Sequence, residues 1–184
     1  TAGMSFLLAA TATSAGAIEI NTGDPSGAYH GTFCPRLETA LKRARLDYTC
    51  TPSKGTPENI RRVQADPRQI AFGQLDVLAL EGAVTGTSPV TVMRRDDVRE
   101  CLFAVTRNKD VVSYGDLAAN ATRLRFILPP AESGSTATFR YLQSIDPEGL
   151  GQAQVSATAP STDDAIAQAL SADDTVTLFV QQPD

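Results

Sequence analysis

Ile18-Glu19-Ile20-Asn21-Thr22-Gly23-Asp24-Pro25-Ser26-Gly27-Ala28-Tyr29-His30-Gly31 opens the part of the chain that decides its fold. Ile18-Glu19-Ile20 reads as the start of a strand, and it runs directly into a loop containing Gly23, Gly27 and Gly31. Phe33, Leu37, Ala40, Leu41 and Ala44 then recur at helical spacing as one apolar stripe, with Pro35 tolerable in the first turn. Leu46 to Cys50 is the next strand. Strand, glycine loop, helix and strand make a crossover unit, so the fold class is α/β.

The same alternation continues outward. Thr51 to Gly55 is a turn, after which Thr56 is placed to cap a helix with Pro57 at its first position and Glu58 at the positive end of the dipole. Ile60 and Val63 point inward, Asp66-Pro67 stops the helix, Gln69 to Gly73 reads as a strand, and Gln74 to Leu80 begins another helix. A turn-rich segment from Gly82 to Pro89 leads to Arg99–Arg107, whose apolar centre predicts a buried crossover strand. Beyond it come a short capped helix from Ser113, a strand over Leu124–Leu128, and a helix from Ser133 through Ile145 with Thr138, Tyr141, Leu142 and Ile145 inward. A helix capped at Ser161-Thr162-Asp163-Asp164 follows, and then a strand over Thr175–Val180. The expected division is a leader over 1–17, a first α/β lobe over 18–106 and a second over 107–184, the last expected to be incomplete because the chain stops just past a strand.

Composition narrows the function. The chain has 184 residues, 42% apolar and 20% charged, with 16 Lys+Arg against 21 Asp+Glu and a net charge of −5. That is ordinary globular usage for one domain or two small lobes. The densest positive stretch, Lys42 to Arg45, reads as a solvated helix face, so no nucleic-acid partner is expected. Residues 1–17 carry no charge and close on Ala15-Gly16-Ala17, the tail of a secretory signal without its basic start; an Ala/Thr-rich disordered terminus is the alternative. The stretch is short for a membrane span, and no membrane insertion of the mature chain is expected. A periplasmic location follows from the leader.

Three cysteines permit one internal bridge. Cys34 falls on the first helix and Cys50 at the end of the strand after it, so Cys34 with Cys50 is the expected pair in an exported chain. There is no C-x-x-C, and the sole His30 has no ligand spacing, so neither a metal nor a cofactor is expected.

Three junctions share one construction: Gly23 to Tyr29, Ser53 to Thr56, and Ser133 to Thr136 each carry small hydroxylated or Gly residues between a strand and a helix. Free amides at a helix start and the helix dipole favour an anion, and the carboxyl ends of strands are where open α/β sheets bind ligands. An ordinary cap has the same sequence. Lys54 adds a charge there or is solvated surface, and Tyr29 either touches a ligand or is a half-buried loop aromatic. Catalytic motifs are missing: one His, no G-x-S-x-G, and no phosphate loop ending in Lys. Asp24 and Asp76 would make an acid/base pair if the fold joined them, but a turn and a helix start explain them more simply. An enzyme is not expected.

The order of these motifs resembles the TAXI family, the extracytoplasmic solute receptors of TRAP transporters. Ile18–Phe33 is similar to that family's opening strand, loop and aromatic; Gly55–Leu80 to its Glu-Asn helix and Gln-x-Asp element; Leu124–Leu142 to the strand before its Ser-Gly-Thr helix start. The resemblance runs from Ile18 to Val180, with Asp24-Pro25 and the added Ser in Ser133-Gly134-Ser135-Thr136 as departures. It implies a type II periplasmic-binding-protein fold, two α/β lobes joined by crossover strands with a small-molecule solute between them. By position, Ser26, Tyr29, Thr56, Gln74, Ser133, Ser135 and Thr136 would line the cleft, with Gly23, Gly27 and Lys54 beside them. Implied with it are domain closure and a TRAP-type membrane permease as partner. Helix-start amides and Lys54 favour an anionic solute, a dicarboxylate or an amino acid such as glutamate. The alternatives are an ABC-type importer's binding protein, a sensor, a transferase on the same fold, or a remnant that no longer binds.

Overall fold

The computed structural model describes residues 18–82, 86, 90–95 and 99–182. The expected leader over 1–17 lies outside them, as does most of the turn-rich segment before the crossover. In the first lobe β1 (Ile18–Asn21) lies between β2 (Tyr48–Thr51) and β3 (Ile70–Ala71) and is parallel to both, with Ile20 opposite Cys50 on one side and Ile70 on the other. Parallel neighbours need crossover connections. These are α1 (Cys34–Arg43) and α2 (Thr56–Ala65), followed by α3 (Leu75–Leu80). Pro35 sits in the first turn of α1, where its missing N–H would be unpaired anyway. A π-helical turn over Tyr29–Phe33 runs into α1, an addition that apolar spacing does not predict.

The start of α2 corrects the expected cap. Gly55 occupies the residue before the helix at φ 134°, in the region that favours glycine, and no side chain caps the helix. Thr56 is buried instead, and its Oγ1 accepts the backbone N–H of Gln74 at 3.1 Å, tying the starts of α2 and α3 together. Glu58 accepts the Lys54 N–H at 2.8 Å; that bond first, and Arg62 after it, holds its carboxyl below the ordinary range. Asn59, 1% exposed, donates through Nδ2 to the carbonyls of Thr22 at 2.7 Å and Phe72 at 2.8 Å. The carboxyl ends of β1 and β3 are thereby pinned under α2.

The second lobe contains β4 (Cys101–Val105), α4 (Tyr114–Ala119), β5 (Arg125–Leu128), α5 (Gly134–Ile145), a 3-10 turn (Leu150–Gln152), β6 (Val155–Thr158), α6 (Thr162–Ala169) and β7 (Thr175–Gln181). Its sheet runs β4-β7-β5-β6, with β4 antiparallel to β7 and the other pairs parallel. Ser113, Ser133 and Ser161 cap α4, α5 and α6 by accepting the N–H three residues on. Phe126, Leu128, Phe139, Leu150, Val176 and Leu178 are buried in one core, with the Phe126 and Phe139 rings 5.3 Å apart.

Two expectations change here, and one strand is added. The strand at 101–105 is not buried: Leu102 and Phe103 are each 38% exposed, because among the described residues only β7 flanks β4 and only the Phe179 ring stacks on Phe103. It hydrogen-bonds in the second sheet, although it ends the first segment of the sequence division. Ile145 is 58% exposed, and the buried run of α5 is Ser135 to Phe139, since the helix docks by its first turns. Finally β6 is an added edge strand whose four residues are all exposed.

The lobes meet where α2 and α3 pack on α5. Ile60, Val77 and Ala137 form a buried apolar cluster across the boundary, with Leu78 and Val90 against it. The described residues form a mixed α/β arrangement of two sheets and six α-helices in two lobes. Among the described residues no helix is long and apolar enough to cross a membrane.

Candidate functional site

Two helix starts confront each other at the lobe boundary. A Cβ on Gly55, before α2, would lie 3.2 Å from both the Glu132 carbonyl oxygen and the Gly134 nitrogen at the start of α5. A Cβ on Gly134 would collide with the carboxamide of Gln74, which lies across the start of α5. The other end of that carboxamide, Nε2, donates to Glu100 Oε2 at 2.6 Å. Gln74 therefore places its amide between a helix N-terminus and a carboxylate.

Around it stand groups from both lobes. The Tyr29 ring stacks on Phe72, centroids 5.4 Å apart and planes 12° from parallel. Burial pushes the Tyr29 phenol well above its ordinary range, and the negative charges of Glu100 and Asp76 push it further, Glu100 also through a hydrogen bond. Thr138 of α5 donates its hydroxyl to Asp76 Oδ2 across the boundary, while Asp76 Oδ1 accepts the Val77 N–H at 2.9 Å. Further out, Glu132 of the second lobe meets Lys54 Nζ at 3.4 Å and Arg61 Nη2 at 3.3 Å, both in solvent-exposed pairs.

The expected cleft residues divide by what their side chains already hold. Tyr29 and Gln74 face the boundary, and Lys54 stands at its rim. Ser133 caps α5 through Thr136 N, Ser135 Oγ accepts the Val180 N–H at 3.0 Å, and Thr136 Oγ1 donates to the Pro129 carbonyl at 3.0 Å. Those hydroxyls, with Thr56, bind backbone and build the junctions. In the first loop Ser26 is exposed and donates both N–H and hydroxyl to Asp24 Oδ1, which keeps that carboxyl low. Gly27 N bonds the Asp24 carbonyl, and the Gly23 carbonyl accepts the Ser53 N–H. Asp24 thus serves its own turn, while Asp76 takes Thr138.

Phe72, Glu100, Glu132 and Thr138 complete the site without having been candidates. Glu100 precedes an edge strand and has no local signal; Phe72 follows β3 by one residue and reads as core. Cys34 and Cys50 form a disulfide between the start of α1 and β2, with Cα atoms 6.0 Å apart, and Cys101 is a free, exposed thiol. Closing a loop of this length contributes about 3 kcal/mol by restricting the unfolded chain. Among the described residues no group of three or more His, Cys, Asp or Glu is placed to hold a metal ion.

No family model matches the chain, and no curated protein matches it. Among solved structures, the chain is similar to HinK, a LysR family transcriptional regulator from Pseudomonas aeruginosa, at 15% identity and a TM-score of 0.36. The match covers 96% of this chain and 57% of that one, so the chain spans little more than half the length of that regulator. These findings correct the expected family. No TAXI receptor is among them, and the structural neighbour is a regulator of transcription, so the TAXI assignment does not stand. With it fall the transport role, the TRAP-type permease as partner, and the exclusion of nucleic acid.

Proposed function

We propose that the chain is a solute-binding domain that holds a small zwitterionic organic molecule, an amino acid, at the boundary of its two lobes. The observation that carries this is the Gln74 carboxamide, set between the start of α5 and the Glu100 carboxylate. An amide has an acceptor end and a donor end. A solute with a carboxylate and an ammonium offers the same pair in charged form, the carboxylate suited to a helix N-terminus and the ammonium to Glu100 and Asp76. The Tyr29–Phe72 stack adds an aromatic face beside the ammonium. A plain dicarboxylate fits less well, since both site carboxylates would oppose its second charge.

Thr138 on Asp76 and the Gly55–Gly134 approach are contacts between lobes, so a solute touching both favours the closed arrangement and shifts the population toward it. In this reading the domain binds without turnover, with Asp24 held in its own turn by Ser26 and Asp76 engaged by Thr138. An exported location in an oxidising compartment suits the Cys34–Cys50 pair.

A thermal-shift panel tests the reading. L-glutamate and neutral amino acids raise Tm in proportion to ligand excess, succinate less, and glucose not at all. Glu100→Gln abolishes the amino-acid response. A shift by succinate or glucose with none by any amino acid overturns the proposal, and so does recovery of a chemically altered solute.

A further inference from the structure

The ten residues of α1 bury one side chain, that of Cys34, and the π-helical turn carrying Tyr29 buries none. Outside the disulfide, the side-chain anchors of this segment include the Tyr29 stack on Phe72, the Tyr29 hydrogen bond with Glu100 and the hydrogen bond of His30 Nδ1 with Thr22 Oγ1 at 3.0 Å. The Thr39 and Lys42 side chains bond within α1 itself. By contrast α5 buries five consecutive residues. With Leu37 and Leu41 only half-buried, the apolar seat of α1 is thin, and its N-terminal end is tied by Cys50 of β2.

We propose that the Cys34–Cys50 disulfide is an oxidation-dependent switch on the solute site. With the bond formed, α1 and the turn before it are fixed to β2, and Tyr29 stands against Phe72 at the lobe boundary. With the bond reduced, segment 24–45 detaches while the second lobe keeps its fold. The chain is thus incompetent to bind in a reducing compartment and becomes competent on oxidation. As a control on binding this rests on the solute-binding reading above; as a local conformational device it does not.

The redox step balances with a small disulfide as oxidant. Cys50, half-buried where Cys34 is 0% exposed, attacks first as the thiolate and expels one thiolate from the oxidant. Cys34 then attacks the Cys50 sulfur of the mixed disulfide and expels the second. Two electrons and the two thiol protons pass to the oxidant, which leaves as two thiols.

Hydrogen exchange on the full chain, compared before and after reduction by a phosphine, decides the matter. Alkylation fixes the state: Cys101 alone reacts in the oxidised form and all three cysteines in the reduced form. Amides of 29–43 should lose protection by about 100-fold, the equivalent of the loop-closure contribution at this length. Those of 125–128 and 175–181 stay unchanged, and glutathione disulfide restores the first set. Cys50→Ser should match the reduced protein, and Cys101→Ser the oxidised one. Unchanged protection at 29–43 after verified reduction overturns the proposal, as does simultaneous loss across both lobes. L-glutamate is the binding probe: a thermal shift in the oxidised form alone supports the switch, and equal shifts in both forms overturn it. No shift in either form counts against the solute reading, and the exchange result then decides the switch alone.

Discussion

The two lobes are built from the same alternation of strands and helices but are stabilised by different means. In the second, Phe126, Leu128, Phe139, Leu150, Val176 and Leu178 are each no more than 1% exposed and share one core. In the first, the fully buried side chains include Asn21, Thr22 and Asn59 beside Ile20 and Val77, and the Cys34–Cys50 disulfide ties α1 to β2. A core of apolar side chains resists displacement in all directions, whereas hydrogen bonds and one staple act at particular atoms and depend on each partner being kept. The second lobe is held by one apolar core, and the first by buried hydrogen bonds and a disulfide.

The sharpest way to break this comparison is a matched pair of truncations, one in each lobe. Phe139→Ala removes a ring that is 0% exposed and packed on Phe126, and should cost about 3–5 kcal/mol in urea unfolding. Leu41→Ala, on the half-buried stripe of α1, should cost less, about 1–2 kcal/mol, because part of the side chain stays in water in the folded protein. Equal losses would mean that α1 is seated as firmly as α5.

Asn59 tests the polar half of the argument. Asn59→Ala leaves the Thr22 and Phe72 carbonyls without that donor and should cost about 1–3 kcal/mol, well beyond the worth of an exposed Asn. Hydrogen exchange should rise around β1, β3 and α2 and leave β5 and β7 alone. A loss spread evenly over both lobes would show that the first has no independent polar core.

How much of this was legible in the chain depended on whether the signal was local. The strand–glycine loop–helix order of the first lobe, the Ser113 and Ser161 caps, and the strand at β5 follow from spacing and capping chemistry within a few residues. What decides burial is not local. Cys101-Leu102-Phe103-Ala104-Val105 has the composition of a buried strand and lies exposed, since which partners flank it is settled by residues some seventy positions on. The four residues of β6 have no inward face and so no period to read. Thr56 has the sequence of a cap but turns toward Gln74, eighteen residues away. Within the site Tyr29 and Gln74 stand out beside the motifs, whereas Glu100, Phe72 and Thr138 become neighbours only when the lobes are folded and joined.

The smallest effect expected separates the lobes by pH. Asp146 ends α5, and its carboxylate accepts the N–H groups of Leu150 and Gly149 and the Tyr114 hydroxyl at 2.8 Å. The Leu150 bond first, and Tyr114 next, holds its folded-state pKa below the ordinary 3.8. Because the folded value is depressed, the contribution is present above the unfolded pKa and is lost as pH falls through the folded value. The bonds are in water, so the effect should be smaller than that of either buried truncation. Asp146→Asn should therefore lower stability relative to the parent at pH 5 and above, with the two curves converging as pH drops below 4. Tyr114 responds at the other limit: burial, reinforced by Asp146, pushes its phenol up to about 12, so its share persists through neutral pH and fades only as pH rises through that value. Convergence of the Asp146→Asn and parent curves on the alkaline side instead would show that the carboxylate acts as a net charge on the lobe and not through these three bonds.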